Sequence, residues 1–362
     1  MSFEPRLPVQ DVPPAVHGGP DYAELRWLGL NPASMLDFSS NVNAYGPSPT
    51  VRDAIARTPL DRYPEDEALS LRAALAEHRG VAPQRILVGN GSSELIWLAA
   101  LAFLSPLDRV LLLGPTYAEY ERMARRMGAC LRIELAQEKH DFIVSPAAIH
   151  QALDEWQPRL VFLCNPNNPT GTVLCDPTSA DWSYNHPHTL FIVDRSYSSF
   201  DSSPGSTMEG KPDNVLVLRS MTKDHALAGL RLGYAVGAEK WIAALAHVRP
   251  PWSVNALAQA AGIAALHDRE HLRRSQERLA AAKVELTAAL TVLGMKVLPS
   301  AAPFFLVRAG NGAAVRRALL HKGILVRDCA SFGLPEHIRI CTRRPEENAR
   351  LVAALDEVVH AG

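Results

Sequence analysis

The stretch Leu218–Tyr234, LRSMTKDHALAGLRLGY, decides how the rest of this chain is read. Lys223 stands at its centre, in Ser220-Met221-Thr222-Lys223, and Arg231 follows eight residues later. A lysine flanked by hydroxyls, then a small-residue loop and an arginine, suits the anchoring of a phosphorylated aldehyde. The amine bonds the aldehyde carbon, while Ser220, Thr222 and Arg231 hold the phosphate. Short motifs of this kind also occur in ordinary solvated turns, so its weight depends on its surroundings.

Working outward, Val215–Leu218 reads as an apolar strand leading into the lysine stretch and Gly233–Val236 as one leading out. Upstream, Gln84–Val88 reads as a strand that ends in Gly89-Asn90-Gly91-Ser92-Ser93-Glu94, before an apolar helix over Leu95–Leu104. Free backbone N–H groups at a helix start attract phosphate, with Ser92 and Ser93 as hydroxyl donors; the same residues also suit a plain N-cap. Val110–Leu113 ends in Gly114-Pro115-Thr116-Tyr117, Leu160–Cys164 in NPNNPTG, and Leu190–Val193 in Asp194-Arg195-Ser196-Tyr197. Short continuous apolar strands separated by helices predict an α/β fold, a mainly parallel sheet with helices on both faces. The notable loops all follow strand C-termini, where open α/β sheets bind ligands.

The flanks have a different rhythm. Residues 1–46 read as a Pro- and Gly-rich arm joining a small domain, 47–250 as the large domain, 251–294 as linking helices, and 295–362 as a small α+β domain. Within the arm, His17-Gly18-Gly19 reads as a loop with a surface histidine. Asn41 and Asn43, two apart in extended chain, face one side.

Lys+Arg 37 against Asp+Glu 38 leaves a formal net charge of −1, so no global field favours nucleic acid or an anionic membrane. No apolar run approaches the roughly 20 residues of a membrane span, and the N-terminus shows no signal pattern, so a cytoplasmic location is expected. Five scattered cysteines, without C-x-x-C, indicate neither a disulfide framework nor a metal site.

A pyridine cofactor acts as an electron sink only while its ring nitrogen stays protonated, and Asp194 at a buried strand end is the carboxylate placed for this. Asn168 and Tyr197 are the candidate donors to the phenolic oxygen. Tyr117 is the candidate aromatic lid. Each also has a plain reading, Asp194 as a helix cap and Tyr117 as packing.

Taken jointly, GNGSSE, PTY, NPNNPTG, D-x-x-Y and SMTK…GLRLGY resemble the fold-type I pyridoxal-phosphate enzymes of the class I/II aminotransferase superfamily, over essentially the whole chain. The resemblance implies pyridoxal 5'-phosphate as cofactor and Lys223 as its lysine, which also moves protons at the substrate carbon. It implies contacts of Asp194 to the ring nitrogen, Asn168 and Tyr197 to the phenolic oxygen, and Tyr117 to the ring face. Ser92, Ser93, Ser220, Thr222 and Arg231 fall on the phosphate. It also implies a homodimer with shared active sites, in which a tyrosine like Tyr63 reaches the partner's phosphate.

Two branches compete, and HGG, LDFS, PWSVNALA and ILVRDC look closer to the threonine-phosphate decarboxylases of corrinoid synthesis than to the histidinol-phosphate aminotransferases. That resemblance implies decarboxylation of L-threonine O-3-phosphate; the alternative is transamination of histidinol phosphate or another amino acid with a 2-oxo acid. Arg339 is then expected to clamp a substrate carboxylate, His17 and Arg327 to bind the substrate phosphate, and Asn43 to line the same pocket. Arg195, Asp224, His225 and a slightly short loop after Cys329 depart from the pattern. A regulatory cofactor-binding module is the non-enzyme rival, and the short arm leaves no room for a helix-turn-helix domain.

Overall fold

The computed structural model describes residues 7–10, 12, 14–174, 176–198 and 212–360. Cys175 and the two chain ends lie outside them. In chain order the elements are α1 (Leu7–Gln10), α2 (Tyr22–Trp27), β1 (Leu36–Asp37), α3 (Pro49–Ala56), α4 (Leu69–Arg79), β2 (Ile86–Gly89) and α5 (Gly91–Phe103). Next come β3 (Arg109–Gly114), α6 (Ala118–Arg126), β4 (Cys130–Leu135), α7 (Pro146–Trp156), β5 (Leu160–Cys164), α8 (Asp176–Asn185), β6 (Leu190–Asp194), β7 (Val215–Ser220) and β8 (Gly233–Val236). Then α9 (Glu239–Val248), α10 (Ala256–His267) and α11 (Arg269–Val292) precede β9 (Lys296–Val297), β10 (Phe304–Arg308) and α12 (Gly312–His321). The chain closes with β11 (Ile324–Leu325), β12 (Arg327–Asp328), β13 (His337–Cys341) and α13 (Pro345–His360).

Seven strands form the large sheet in the order β2-β8-β7-β6-β5-β3-β4. Its central strands alternate between two cores. Val110, Leu112, Leu160, Phe162 and Ile192 face one, with α5 and α6. Leu111, Leu113, Val161, Leu163 and Val193 face the other, with Ile149 and Trp182. Burial on both faces is why these segments read as unbroken apolar runs.

The sheet is mainly parallel, as expected, but β8 runs antiparallel to both neighbours. Only a loop of residues 221–232 joins β7 to β8, and a parallel return needs a crossover, usually a helix. The reversal puts the start of β8, and hence Arg231, at the same sheet edge as Lys223. Gly233 pairs with both Ser220 and Gly89 there.

The small domain is a four-stranded antiparallel sheet, β12-β13-β10-β9. Leu286 and Leu290 of α11 share its core with Phe305, Ile338 and Leu351. The run Ile324–Arg327, read as one strand, divides in two. Ile324 and Leu325 pair with β1 of the arm, whereas Arg327 pairs with Arg339. Among the described residues, no helix is long and apolar enough to cross a membrane.

Candidate active site

A cavity of about 380 Å³ lies at this sheet edge, closed by arm residues 16–18 and 39–42 and by Arg327, Phe332 and Arg339 of the small domain. It gathers Lys223, Asp194, Asn168, Tyr197, Tyr117, Ser92, Ser93, Thr222, Arg231, His17, Arg327 and Arg339. These come from sequence positions over three hundred residues apart, and the parallel strand ends bring them together.

Asp194 ends β6 in register with Cys164 of β5 and Leu218 of β7. Its Oδ1 accepts from the Ser196 N–H at 2.9 Å and its Oδ2 from the Tyr120 hydroxyl at 2.8 Å. Burial pushes the carboxyl above its usual value, and these two bonds oppose the rise by favouring the charged form. Burial likewise pulls the Lys223 amine down, helped by Arg339 and Arg231, to about 8. The Tyr197 hydroxyl accepts from Asn41 Nδ2 at 3.1 Å, and burial pushes its phenol up. Asn168 Oδ1 accepts from Arg339 Nη1, so its amide N–H₂ is the group left to donate.

The phosphate end begins where α5 does. That helix starts at Gly91, four residues earlier than read from the sequence, because Glu94 Oε2 takes the Asn90 N–H at 2.6 Å. Ser92 and Ser93 therefore sit in the first turn and are not caps. Gly91 has φ +78°, and a Cβ there would lie 2.7 Å from Arg231 Nη2. The missing side chain lets the guanidinium close over the helix start. Ser220 Oγ lies 2.6 Å from Thr222 Oγ1; Thr222 lines the cavity and Ser220 stands just behind it. Helix N–H groups, paired hydroxyls and an arginine fit a phosphate, and the buried lysine and aspartate fit the rest of pyridoxal phosphate.

At the mouth, His17 Nε2 lies 3.3 Å from Glu119 Oε1, and its ring meets Tyr117 with centroids 5.7 Å apart. Burial alone would raise Glu119, but His17 and Arg122 outweigh it and hold the carboxyl low. Arg327 Nη2 donates to Val16 O at 3.0 Å, so the small domain grips the arm. Arg339 Nη2 donates to Ser39 O at 2.6 Å, while its buried Nε has no partner.

Three expected site residues do not line the cavity: Ser220 stands behind it, and Asn43 and Tyr63 stand elsewhere. Asn43 is buried and does not line the cavity; it bonds the turn that carries Lys223. Period-two spacing fails because β1 stops at Asp37, whose Oδ1 takes the Ser39 and Ser40 N–H groups and curls the chain. Tyr63 is outside this chain's own cavity, 78% exposed and stacked on Trp252 with ring centroids 4.6 Å apart. Arg195, Asp224 and His225 share a separate cavity of about 50 Å³ behind Ser220.

Sequence reasoning missed Tyr120 and Ser196 as site residues, and it noted Asn41 only for facing the same side as Asn43. Tyr120 lies three positions after Tyr117, the residue just before α6, and their ring centroids are 5.6 Å apart. Ser196 sits two after Asp194, the spacing of an aspartate turn. Both signals were readable.

The fold and this site have a clear counterpart. The structure of histidinol-phosphate aminotransferase from Sinorhizobium meliloti in complex with pyridoxal-5'-phosphate matches with a TM-score of 0.89 at 25% identity, covering 100% of this chain and 99% of that one. The chain is thus a fold-type I pyridoxal-phosphate enzyme. Within that class it belongs to the class I and II aminotransferase family, whose sequence profile matches residues 33–355. It is 40% identical to the histidinol-phosphate aminotransferase of Symbiobacterium thermophilum over 99% of both chains.

These findings correct the expected decarboxylation. The L-threonine-O-3-phosphate decarboxylase of Porphyromonas gingivalis has a similar structure, but at 29% identity over 90% of this chain and a TM-score of 0.79. The whole-length relatives on the aminotransferase side are nearer, at 34–40% identity.

Proposed function

We propose that this chain is an aminotransferase of the histidinol-phosphate type, moving an amino group between histidinol phosphate and a 2-oxo acid. The observation that carries the reading is the 40% identity, over nearly the whole length, to the Symbiobacterium aminotransferase.

When bound, pyridoxal 5'-phosphate supplies an electron-accepting ring that stabilises negative charge at the carbon bearing the substrate amine. The chain's residues do the rest. Lys223, brought down to about 8, has a free-base fraction near neutral pH that would bond the cofactor's aldehyde carbon and, once the substrate amine has taken its place, would carry the proton from the carbon bearing that amine to the former aldehyde carbon. Asp194, fixed by Tyr120 and Ser196, keeps a proton on the ring nitrogen. The Tyr197 hydroxyl already accepts from Asn41 and so has its own proton to donate to the phenolic oxygen. Asn168 donates beside it, and the Tyr117 ring covers one face. Ser92, Ser93, Ser220, Thr222 and Arg231 hold the phosphate.

Two substrates with different anions must use one cavity. Arg339, buried and oriented by Asn168 and Ser39, meets the carboxylate of the 2-oxo acid. His17 and Arg327 meet the substrate phosphate at the mouth. The active assembly is a homodimer, in which the partner subunit's Tyr63 completes the phosphate site; the exposure of Tyr63 in this chain supports that arrangement.

The test is turnover by the cofactor-loaded protein. Histidinol phosphate with 2-oxoglutarate should yield glutamate, and omitting either should stop it. Glutamate from another amino donor, with none from histidinol phosphate, would move the substrate assignment. No amino transfer from any donor would overturn the reading.

A further inference from the structure

We propose that Asn43 is a positioning residue for Lys223, acting through the backbone of the lysine's turn. The inference rests on Lys223 being the cofactor lysine. Ahead of Lys223 the turn is tied to the sheet: the Met221 N–H donates to Leu232 O at 3.0 Å, and the Thr222 N–H to Ser220 Oγ at 3.2 Å. Beyond it, the grip comes from the arm. The Asn43 N–H donates to Lys223 O at 2.9 Å, and Asn43 Nδ2 donates to Asp224 O at 2.9 Å. Two consecutive carbonyls are therefore held by one residue, 180 positions away in sequence.

The amide is itself held on every side. Its Oδ1 accepts from the Tyr45 N–H at 3.0 Å, and its second Nδ2 hydrogen goes to Ser275 Oγ at 2.8 Å. Ser275 spends its own hydrogen on Leu272 O at 2.8 Å and must accept from Asn43, which fixes which way the amide faces. Asn43 and Ser275 are 4% and 3% exposed, so water cannot replace either contact. Ser275 belongs to α11, which continues into the small-domain core at Leu286 and Leu290. The arm, the linking helix and the lysine turn meet at this one side chain.

A lysine has four rotatable side-chain bonds, so the amine is placed only as well as its backbone is. Loosening the Asp224 carbonyl, the one the Asn43 side chain holds, should spread the amine over positions that miss the aldehyde carbon.

The test uses apoprotein and follows capture of pyridoxal phosphate through the absorbance of the lysine-bound cofactor, at pH values spanning the amine's titration. Asn43→Ala and Asn43→Asp should each slow capture roughly tenfold or more and shift the pH midpoint. In the loaded enzyme, kcat should fall while KM for both substrates holds. Ser275→Ala should fall between these variants and the parent. Asn43→Asp keeps the Tyr45 contact and the side-chain size but loses both donors, so it carries the test if the alanine variant unfolds. Capture by Asn43→Asp at the parental rate and pH midpoint would overturn the proposal. An undiminished absorbance in Lys223→Ala would instead show that Lys223 is not the cofactor lysine.

Discussion

Tyr120 donates its hydroxyl hydrogen to Asp194 Oδ2 at 2.8 Å, with both side chains buried. Tyr120 also stacks on Phe162 of β5, with ring centroids 5.0 Å apart. The carboxylate proposed to face the cofactor ring is thus braced from α6, an element packed against a different strand. Replacing Tyr120 with Phe keeps the ring contact and removes only the donor. The apoprotein should lose about 1.5–3 kcal/mol of stability, the range for a bond to a charged group, read from denaturant unfolding. Cofactor affinity should fall with it; an unchanged unfolding midpoint and affinity would show the bond to be idle.

Lys223 sets a pH-dependent penalty on folding. Its amine titrates near 8 in the folded chain, well below the ordinary 10.5, so between these values the unfolded chain binds more protons and stability rises with pH. Below about pH 8 the penalty is fully present. Lys223→Met should therefore stabilise the apoprotein near neutral pH by up to about 3 kcal/mol, and the difference should shrink toward pH 10. Thermal unfolding at a series of pH values reads this directly, and a pH-independent difference would contradict it.

Gly91→Ala would place a methyl group 2.7 Å from Arg231 Nη2, at a backbone φ of +78° that disfavours any side chain. Arg231 must then swing off the helix start. Pyridoxal phosphate affinity should drop at least about tenfold, as befits one charge-assisted contact. Equilibrium dialysis measures it, with phosphate-free pyridoxal as the control that should lose far less.

The three basic groups at the mouth should separate by substrate. His17→Ala and Arg327→Ala should raise KM for histidinol phosphate by roughly 10–100-fold while leaving glutamate nearly unchanged. Arg339→Ala should do the reverse most strongly. Half-reaction kinetics with each substrate alone would expose a failure of this division.

Sharing of sites across a dimer can be tested by mixing two inactive variants. Hybrids of Lys223→Ala and Tyr63→Ala subunits contain one site with both defects and one intact site. Mixing after subunit exchange should restore up to about a quarter of parental activity, since half the dimers are hybrids with one working site each. No recovery, with exchange verified by mass, would place Tyr63 outside the partner's site.

The residues that could be read in advance are those fixed by local chemistry. Lys223, Asp194, Asn168 and Tyr117 each follow a buried strand closely, in a turn whose residue types carry the signal, and the cavity collects all four. The strands themselves were readable because burial on both faces leaves an unbroken apolar run. By contrast, the direction of β8 depends on how short its connection is, and the place of Asn43 on a curl made by the Asp37 carboxylate. The reaction was misread because HGG and ILVRDC look closer to the decarboxylases, whereas the nearer whole-length relatives are histidinol-phosphate aminotransferases. Sequence alone therefore determined the fold class, the cofactor and the candidate groups that the cavity collects, since strand ends and their turns are local features. Only the tertiary structure decided that Asn43 braces the lysine turn and Tyr120 braces Asp194. Those contacts join residues 181 and 74 positions apart, and no local pattern encodes a meeting over such distances.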